Sequence, residues 1–283
     1  MLLTSTAFLV FFVFVVVLYF VLPLRFRVGF LLLASYYFYS TYRTEYLILL
    51  VILTAFNYYM GILLGKEQSG RRKKMVLTLS LVSNIGVLFW FKYMNVNVFT
   101  DAVRTLLLQH NVSFLLPSLG AVLPVGLSFY TFKIMNYTID VYRGRRAAER
   151  KLGVFALYVS FFPQLIAGPI DRATKLLPQF YERHSFDYVR VTDGLRLMLW
   201  GFFQKVVIAD NLATLVDPVF SNPTQYEGVS LILAVLFFTF QIYCDFSGYS
   251  DIAIGAARIL GFQSMMNFER PYFSKSIPEF WRT

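Results

Sequence analysis

The residues best suited to chemistry lie together in an apolar segment near the end of the chain. Asp245, Ser247, Tyr249 and Asp251 interrupt a run that is otherwise hydrophobic. On a helix, Asp245 and Tyr249 share one face and Ser247 and Asp251 share another, because side chains four residues apart are neighbours. The two carboxylates then lie about 120° apart around the axis, which disfavours a paired-carboxylate acid/base dyad. We interpret these residues as a hydrogen-bond network that shapes a polar cavity rather than as catalytic groups.

A second apolar segment, which extends from Val189 to Val216, contains charged residues well inside it. Each of Arg196, Lys205 and Asp210 costs about 2.5–3.5 kcal/mol when it faces lipid. Arg196 and Lys205 are nine residues apart, so they point to roughly opposite sides of a helix with about 3.6 residues per turn. The helix therefore either packs inside protein or lies partly along the membrane interface. Snorkelling of the charged groups to lipid headgroups explains them equally well.

A third unusual segment, Phe161–Ile170, combines proline and glycine with apolar residues. Pro163 and the Gly168-Pro169 pair break a helix at both ends of a very short apolar run. Non-helical backbone is stable at membrane depth only where protein or a water-filled cavity covers it. The sequence therefore predicts either a re-entrant element or cavity wall, or an ordinary helix that ends in a Gly-Pro turn.

The residue patterns of common enzyme active sites are missing. The two histidines, His110 and His184, lie in polar connectors without an accompanying nucleophile or metal-ligand set, so we interpret both as loop residues. The single cysteine, Cys244, permits no intrachain disulfide and is predicted to be a buried small apolar side chain. We therefore predict no catalytic residue, no metal site and no bound cofactor within these 283 residues.

The elements that hold these residues must lie in a membrane. Hydrophobic residues make up 57% of the 283 positions and charged residues 15%, whereas soluble domains contain roughly 45–50% and 25%. The net charge of +10 does not indicate nucleic-acid binding, because the basic residues cluster in short loops between apolar runs. We predict an all-α, polytopic transmembrane helical bundle in contact with membrane lipid. It has about seven to nine spans, one of which is the re-entrant candidate.

Eight hydrophobic runs are candidate spans, since a helix needs about 20 apolar residues to cross a bilayer. They are Leu2–Leu22, Val28–Tyr42, Tyr46–Leu64, Met75–Tyr93, Phe114–Ile139, Leu152–Ala167, Val189–Val216 and Gly228–Phe262. The second and sixth runs are short for a straight crossing. The last run is long, and its Cys244–Gly248 stretch is predicted to be either a break or the join between two helices.

The charged connectors between these runs predict an orientation. Three connectors are basic, and they contain Arg25 and Arg27, Lys66 and Arg71–Lys74, and Arg143–Lys151. The connectors that alternate with them are near neutral. All three basic connectors fall on one side of the membrane only if the N-terminus is outside. The positive-inside rule therefore predicts an outside N-terminus and cytoplasmic basic loops.

Seven sequence motifs in the second half of the chain carry a family resemblance. They are Leu123–Phe132, Tyr137–Gly144, Tyr158–Ile170, Leu199–Asp210, Asp245–Gly255, Asn267–Tyr272 and Ile277–Arg282. In this order they resemble the membrane-bound O-acyltransferase family, specifically its alginate O-acetylase branch. The first hundred residues match the family mainly in hydrophobic pattern. We therefore expect N-terminal transmembrane helices over residues 1–113 and C-terminally truncated family core helices over residues 114–283.

The resemblance implies a helical bundle around a funnel that runs through the membrane. Such a protein passes an acyl group from a cytosolic donor such as acetyl-CoA towards a hydroxyl group outside. In bacterial members, which lie in the inner membrane, the acceptor is usually a surface polysaccharide such as alginate, often with a periplasmic partner acetyltransferase. The residues expected to line the funnel or substrate path are Pro169, Asp245, Ser247, Tyr249 and Asp251.

The resemblance also places the catalytic histidines of the family beyond the Ile277–Arg282 motif. Neither His110 nor His184 matches a family motif, so we expect the 283-residue chain alone to be inactive for want of a general base. D-alanine transfer to teichoic acid is an alternative whose motifs this sequence resembles less closely. A transporter, which usually has paired discontinuous helices in two related halves, and a non-catalytic membrane scaffold are the alternatives from other classes.

Overall fold

The computed structural model describes residues 1–67, 69–94 and 124–280, and every regular element within these ranges is a helix. The helices are α1 (Thr6–Val21), α2 (Leu24–Ser40), α3 (Thr44–Lys66), α4 (Gly70–Phe89), α5 (Leu127–Tyr142), α6 (Leu152–Ser160), α7 (Ala173–Gln179), α8 (Tyr188–Phe202), α9 (Asp210–Ser221), α10 (Val229–Leu260) and α11 (Ile277–Phe280). A π-helical segment, Trp90–Met94, follows α4, and another, Phe203–Ala209, joins α8 to α9. The predicted all-α fold class is confirmed.

Three of the described helices are long and apolar enough to cross a membrane, namely α3, α4 with its π-helical extension, and α10. Helix α1 is also apolar but has only 16 residues. Only 11% of the most apolar window of α4 and of α10 is buried, against 39% in α3. Lipid or further protein must therefore cover α4 and α10, because soluble proteins rarely expose such large apolar faces. The count of seven to nine spans stays a prediction.

Aromatic side chains tie the first two helices to the middle of the chain. Phe8 in α1 packs against Phe38 in α2, with ring centroids 6.0 Å apart, and Phe11 packs edge-on against Phe162 at 5.3 Å. Phe8, Phe38 and Phe162 are fully buried. These contacts place the N-terminal helices and the Phe161–Ile170 segment in one hydrophobic core. The predicted boundary between residues 113 and 114 lies outside the described residues.

The predicted interruption of the last hydrophobic run is wrong. Helix α10 continues without a break for 32 residues, and the Cys244–Gly248 stretch lies inside it. Cys244 is buried, as predicted. Lys205 on a neighbouring element pairs with Asp245 of this stretch, so no backbone hydrogen bond has to be opened to satisfy that carboxylate.

Paired glycines bring α8 and α10 into close antiparallel contact. Gly201 faces Gly248, and Gly194 faces Gly255. A Cβ added at Gly201 would lie 2.6 Å from the carbonyl oxygen of Gly248, and one at Gly255 would lie 2.6 Å from that of Gly194. Both approaches are too close for any residue with a Cβ atom. Small residues are typical of helix interfaces in membranes, because they allow dense packing between backbones.

The sixth hydrophobic run contains a helix that is shorter than predicted. Helix α6 ends at Ser160, and the following residues through Ile170 form turns rather than helix. The alternative of an ordinary helix that ends in the Gly168-Pro169 turn is therefore wrong. Phe161, Phe162 and Gln164 are almost completely buried. This segment thus forms part of the protein interior, where packing against other elements protects its non-helical backbone.

The remaining runs agree with the structure to different extents. The run Val189–Val216 is continuous helix, because α8, the π-helical segment and α9 follow one another directly. The run Phe114–Ile139 is described only from residue 124 onwards, where α5 begins at Leu127. The part of this run before residue 124 lies outside the described residues. Trp281 and Arg282 of the last motif also lie outside them.

The three basic connectors meet at the same end of the helices. The hydroxyl of Tyr58, in the second half of α3, donates to the carbonyl oxygen of Arg150 at 2.5 Å. The connector after α5 therefore lies beside the second half of α3. Helix α4 starts directly after α3. Helices α2 and α3 are joined by residues 41–43 alone, so they run antiparallel and Arg27, near the start of α2, lies at that end too.

Candidate functional site

A cationic side chain in the π-helical segment joins α8, α9 and α10. The Nζ of Lys205 lies 2.6 Å from the Oδ1 of Asp245 on α10 and 2.7 Å from the Oδ1 of Asp210 at the start of α9. It also lies 5.4 Å from the centroid of the Tyr249 ring. We refer to Lys205, Asp210, Asp245 and Tyr249 as the Lys205 cluster.

The Lys205 cluster opens to one side of the described structure. The Lys205 side chain is 17% exposed, whereas those of Asp245 and Asp210 are 46% and 51% exposed. Two carboxylates around one ammonium group leave a negative charge that membrane lipid would not tolerate. Protein or water must therefore cover it. The paired ammonium of Lys205 has no lone pair with which to accept a proton, so Lys205 itself is not suited to act as a base in this arrangement.

Close helix packing and the π-helical segment together place Lys205 against Asp245. A Cβ added at Gly248 would lie 3.0 Å from the backbone nitrogen of Lys205, so the α10 backbone leaves no room for a side chain there. The wider π-helical turn changes the direction in which side chains leave α8, and such turns are frequent at functional sites. Lys205 consequently points into protein, whereas Arg196, one element earlier, is 76% exposed and pairs with Asp193 at 3.3 Å.

The predicted lining residues of α10 divide into two groups. Asp245 and Tyr249 both contact Lys205, as their shared helix face predicts. Ser247 is buried on a different face. Asp251 is half-buried, and within the described residues it has no ion-pair partner at 4.0 Å or less, Arg258 included. The two carboxylates do not form a dyad, because Asp245 is paired with Lys205 instead.

A second lysine organises a buried polar network that the sequence analysis missed. Lys133 on α5 is only 4% exposed. Its Nζ donates to the Oε1 of Gln164 at 2.8 Å, and the Nε2 of Gln164 donates to Asp171 at 2.5 Å and to the Oγ of Ser264 at 2.7 Å. The other carboxylate oxygen of Asp171 accepts from the backbone nitrogen of Met265 at 2.9 Å. We refer to Lys133, Gln164, Asp171 and Ser264 as the Lys133 network.

The Lys133 network connects three separate parts of the chain, namely α5, the Phe161–Ile170 segment and the loop after α10. Pro169, the remaining predicted lining residue, is buried beside it, and its carbonyl oxygen accepts from the backbone nitrogen of Asp171 at 2.9 Å. The sequence did contain a signal for this network. Lys133 is a lone charge in an apolar run, and such a charge requires an internal partner as much as Lys205 does.

His184 has structural contacts and lies in the connector between α7 and α8, as predicted. Its Nε2 lies 2.8 Å from the carbonyl oxygen of Gln179, and its ring packs against Phe262 with centroids 4.7 Å apart. Its own carbonyl oxygen accepts from Arg27 at 2.6 Å. These contacts fasten the connector to the ends of α2 and α10. His110 lies outside the described residues.

A helical membrane protein with charged clusters between its helices is the class that this arrangement defines. Residues 31–283 match the family model for MBOAT, the membrane-bound O-acyltransferase family. The match covers most of the chain, and the chain belongs to this family. The sequence motifs of the second half therefore indicated the correct family.

Similar proteins fall into three kinds of acyltransferase. The chain is 42% identical over 273 residues to a probable alginate O-acetylase of Azotobacter vinelandii, and this match covers 94% of the chain and 52% of that protein. It is 32% identical over 278 residues to a peptidoglycan O-acetyltransferase of Helicobacter pylori, at 89% and 51% coverage. A teichoic acid D-alanyltransferase of Bacillus subtilis is 26% identical over 161 residues, at 56% and 40% coverage. The chain thus spans about half the length of the first two relatives, and the third match covers 40% of that protein.

Proposed function

We propose that this chain is part of an O-acyltransferase of the bacterial inner membrane that acetylates hydroxyl groups of a polysaccharide outside the membrane, such as alginate. The donor is a cytosolic acyl carrier such as acetyl-CoA, and a periplasmic acetyltransferase is the proposed partner. The observation that carries the proposal is the 42% identity over 94% of the chain with the probable alginate O-acetylase.

A polar stripe on α10 supports the proposed substrate path. Gln241, Asp245 and Tyr249 are spaced four residues apart and therefore share one face. The Oε1 atoms of Gln241 and of Gln204 on α8 are buried and have no hydrogen-bond partner within the described ranges. Buried polar atoms are normally satisfied by protein or ordered water, so this stripe is suited to a hydrated passage. We assign Asp245 and Tyr249 to its wall.

The remaining lining residues have a less direct basis. Ser247 and Asp251 lie on other faces of α10, and Pro169 is buried next to the Lys133 network. Asp251 is the stronger candidate of the three, since a half-buried carboxylate without an ion-pair partner among the described residues needs water or a polar ligand. We assign these three residues to other parts of the same path.

The alternative functions have weaker support. The D-alanyltransferase of Bacillus subtilis matches only 56% of the chain at 26% identity. The continuity of α10 disfavours a transporter of the paired-repeat kind, because the helix that was predicted to be interrupted is unbroken in the described structure. A non-catalytic scaffold is distinguished from a transferase by experiment.

A chimeric enzyme tests the proposal. The matched half of the Azotobacter vinelandii relative is replaced by this chain, and the chimera is produced in a strain that makes alginate but lacks its own O-acetylase. We expect the chimera to restore acetyl esters on alginate, measured by infrared absorption and by acetate release. The chain alone is expected to give no acetylation, because no histidine in it matches a family motif.

Two outcomes would contradict the proposal. Full membrane insertion of the chimera without acetyl esters, together with D-alanine esters on teichoic acid in a Gram-positive host, would favour the alternative acceptor. Absence of any acyl transfer by a stably inserted chimera would favour a scaffold. Acetylation by the chain alone would show that its own residues contain a general base, contrary to our expectation.

A further inference from the structure

A basic cavity lies at the end of the molecule where the basic connectors meet. It has a volume of about 770 Å³ and is bounded by the end of α3, the start of α4 and the connector after α5. Lys66, Lys73, Arg146 and Arg150 line it, and Glu67 adds a carboxylate. The cavity therefore gathers cationic groups from three segments that are distant in the sequence.

Most of the cationic groups in this cavity are free to meet a ligand. Within the described residues, Lys66, Lys73 and Arg150 have no carboxylate at 4.0 Å or less. Among the charged groups and aromatic rings of the described residues, Lys73 contacts the ring of Tyr142, whose centroid lies 5.6 Å from its Nζ. Three unpaired cations around a concave space attract anions more strongly than the same charges on a flat surface.

Arg146 is held in place by protein groups. Its Nη1 donates to the carbonyl oxygen of Ala173 at 2.7 Å, and its Nη2 lies 3.4 Å from the Oε2 of Glu149. The hydroxyl of Tyr181 donates to the other oxygen of Glu149 at 2.6 Å. Burial and this hydrogen bond raise the pKa of Tyr181 to about 12, so the hydroxyl keeps its proton and its donor role. Arg146 thus forms a fixed part of the cavity wall.

The start of α4 adds favourable polarity to the basic cavity. Ser69 precedes the helix without making a side-chain cap, and the first turn contains no acidic residue, although the backbone nitrogen of Ser69 itself donates to the Oε1 of Glu67 at 3.1 Å. The first N–H groups of a helix and its dipole favour a bound anion. The end of α3 has the opposite polarity, but Lys66 in its last turn offsets that effect.

We propose that the basic cavity binds a phosphate ester. Several cations with an arginine among them match the charge and the several oxygens of a phosphate group better than those of a single carboxylate. Apolar side chains at the cavity wall, Leu64 and Val141 among them, would contact the organic part of such a ligand. We assign the ester to the headgroup of an anionic phospholipid, because the cavity lies at the ends of apolar helices, where basic groups meet lipid headgroups. A soluble nucleotide of the coenzyme A type carries similar phosphate groups and is the alternative that the experiment has to exclude.

The positive-inside rule explains why basic residues occur in these connectors, but it makes no distinction between neighbouring lysines. Lys73 lines the cavity, whereas Lys74 is exposed outside it. Arg150 lines it, whereas the exposed Arg143 does not. The pairs Lys73/Arg150 and Lys74/Arg143 therefore provide a matched comparison with the same change of charge.

Direct binding measurements test this inference, which does not depend on the acyl-transfer reaction. In one arm, the full chain in phosphatidylcholine nanodiscs is titrated with coenzyme A by calorimetry. In the other arm, the chain is purified from nanodiscs made of equal parts phosphatidylcholine and phosphatidylglycerol, and retained phosphatidylglycerol is counted by mass spectrometry. Both arms use the native chain, the double variant Lys73→Gln/Arg150→Gln and the control Lys74→Gln/Arg143→Gln.

We expect the native chain to retain phosphatidylglycerol and Lys73→Gln/Arg150→Gln to retain on the order of tenfold less, because this variant removes charge-assisted hydrogen bonds. The control pair should change binding by less than about twofold, since its charges lie outside the cavity. Retention of phosphatidylglycerol that only Lys73→Gln/Arg150→Gln lowers supports the lipid site, whereas saturable binding of coenzyme A without retained phosphatidylglycerol would overturn it. Equal weakening by both pairs, or no saturable binding of either probe, would overturn the proposal. Thermal midpoints of all variants, and the single pair Lys73→Gln and Lys74→Gln, exclude an effect of misfolding.

Discussion

Two lysines in apolar segments of this protein are stabilised in different ways. Lys205 is held between two carboxylates that remain half exposed, so its cluster faces the outside of the described structure. Lys133 is buried and donates to the side-chain amide of Gln164, which in turn donates to Asp171. A charge within a membrane protein is stable only with such partners. The first arrangement is suited to a passage, and the second to holding segments together.

Replacement of Asp245 by Asn tests whether the Lys205 cluster forms part of the substrate path. We expect Asp245→Asn, introduced into the chimera, to lower acetylation about tenfold, a loss of roughly 1.4 kcal/mol of transition-state stabilisation. The amount of protein in the membrane should stay within about twofold, because Lys205 keeps Asp210 as a partner. Acetyl esters per molecule of inserted protein are the measurement.

Asp210→Asn is the matched control for this prediction, since it removes the other carboxylate that contacts Lys205. If the cluster only neutralises Lys205, the two variants should lose equal activity. A larger loss for Asp245→Asn supports a position on the path. Normal acetylation by both Asp245→Ala and Asp251→Ala variants would show that the assignment of the path to α10 is wrong.

Asp171→Asn should destabilise the protein rather than alter its specificity. One carboxylate oxygen would be replaced by an NH₂ group that faces a donor, either on Gln164 or on the backbone of Met265. An unsatisfied buried group costs about 1–3 kcal/mol. We expect a lower thermal midpoint in detergent and faster proteolysis of the loop after α10. Asp217→Asn, an exposed position on α9, should leave both unchanged, and equal stability of the two variants would argue against the network.

At the level of helices, the contact between α8 and α10 determines how the polar residues of both are placed. The glycine pairs allow the backbones to approach, and only this distance brings Lys205 within 2.6 Å of Asp245. The continuity of α10 depends on the same contact. Polar contacts and packing between α8 and α10 stabilise the Cys244–Gly248 stretch as helix, although its sequence predicts a break.

Gly201→Ala is expected to separate α8 from α10. The added methyl group would lie 2.6 Å from the carbonyl oxygen of Gly248, and overpacking of this kind costs about 1–3 kcal/mol. We expect a lower unfolding midpoint in mixed micelles. Gly86→Ala is the control, because no atom of the described residues lies within 4 Å of its added Cβ, and alanine favours a helix over glycine. A midpoint for Gly201→Ala equal to that of the control would contradict the close contact.

At the level of the whole molecule, the basic connectors at one end support an orientation with the N-terminus outside. The connection of α3 to the segment after α5 places Lys66 and Arg150 together, which agrees with a single cytoplasmic side for both loops. The uncovered apolar faces of α4 and α10 indicate that lipid or additional protein surrounds the described helices.

Cysteine labelling tests this orientation. In a Cys244→Ala background, Arg43→Cys lies before α3 and Ser69→Cys lies after it, and both positions are exposed. We expect a membrane-impermeant maleimide to label Arg43→Cys in spheroplasts and Ser69→Cys only in inverted vesicles. The reverse pattern would place the N-terminus inside. Labelling of both positions from one side would show that α3 does not cross the membrane.

The sequence by itself determined the class of this protein and its family. Composition, the lengths of the apolar runs and the positions of basic residues are local properties, and each follows from the solvation of a single segment. The long motifs were specific enough to indicate the membrane-bound O-acyltransferase family. The sharing of one helix face by Asp245 and Tyr249 also followed from helical spacing alone.

Only the tertiary structure decided which groups become partners and where helices end. Lys133 and Gln164 are far apart in the sequence, as are Gln164 and Ser264 and also Lys205 and Asp245, so no spacing rule predicts that the members of each pair meet. The polar stretch of α10 was predicted to interrupt the helix because its partners on α8 were unknown. Helix α6 ended early because burial of the residues after Ser160 stabilised turns there. Each of these outcomes depends on packing between distant segments, which a single sequence does not encode in any local pattern.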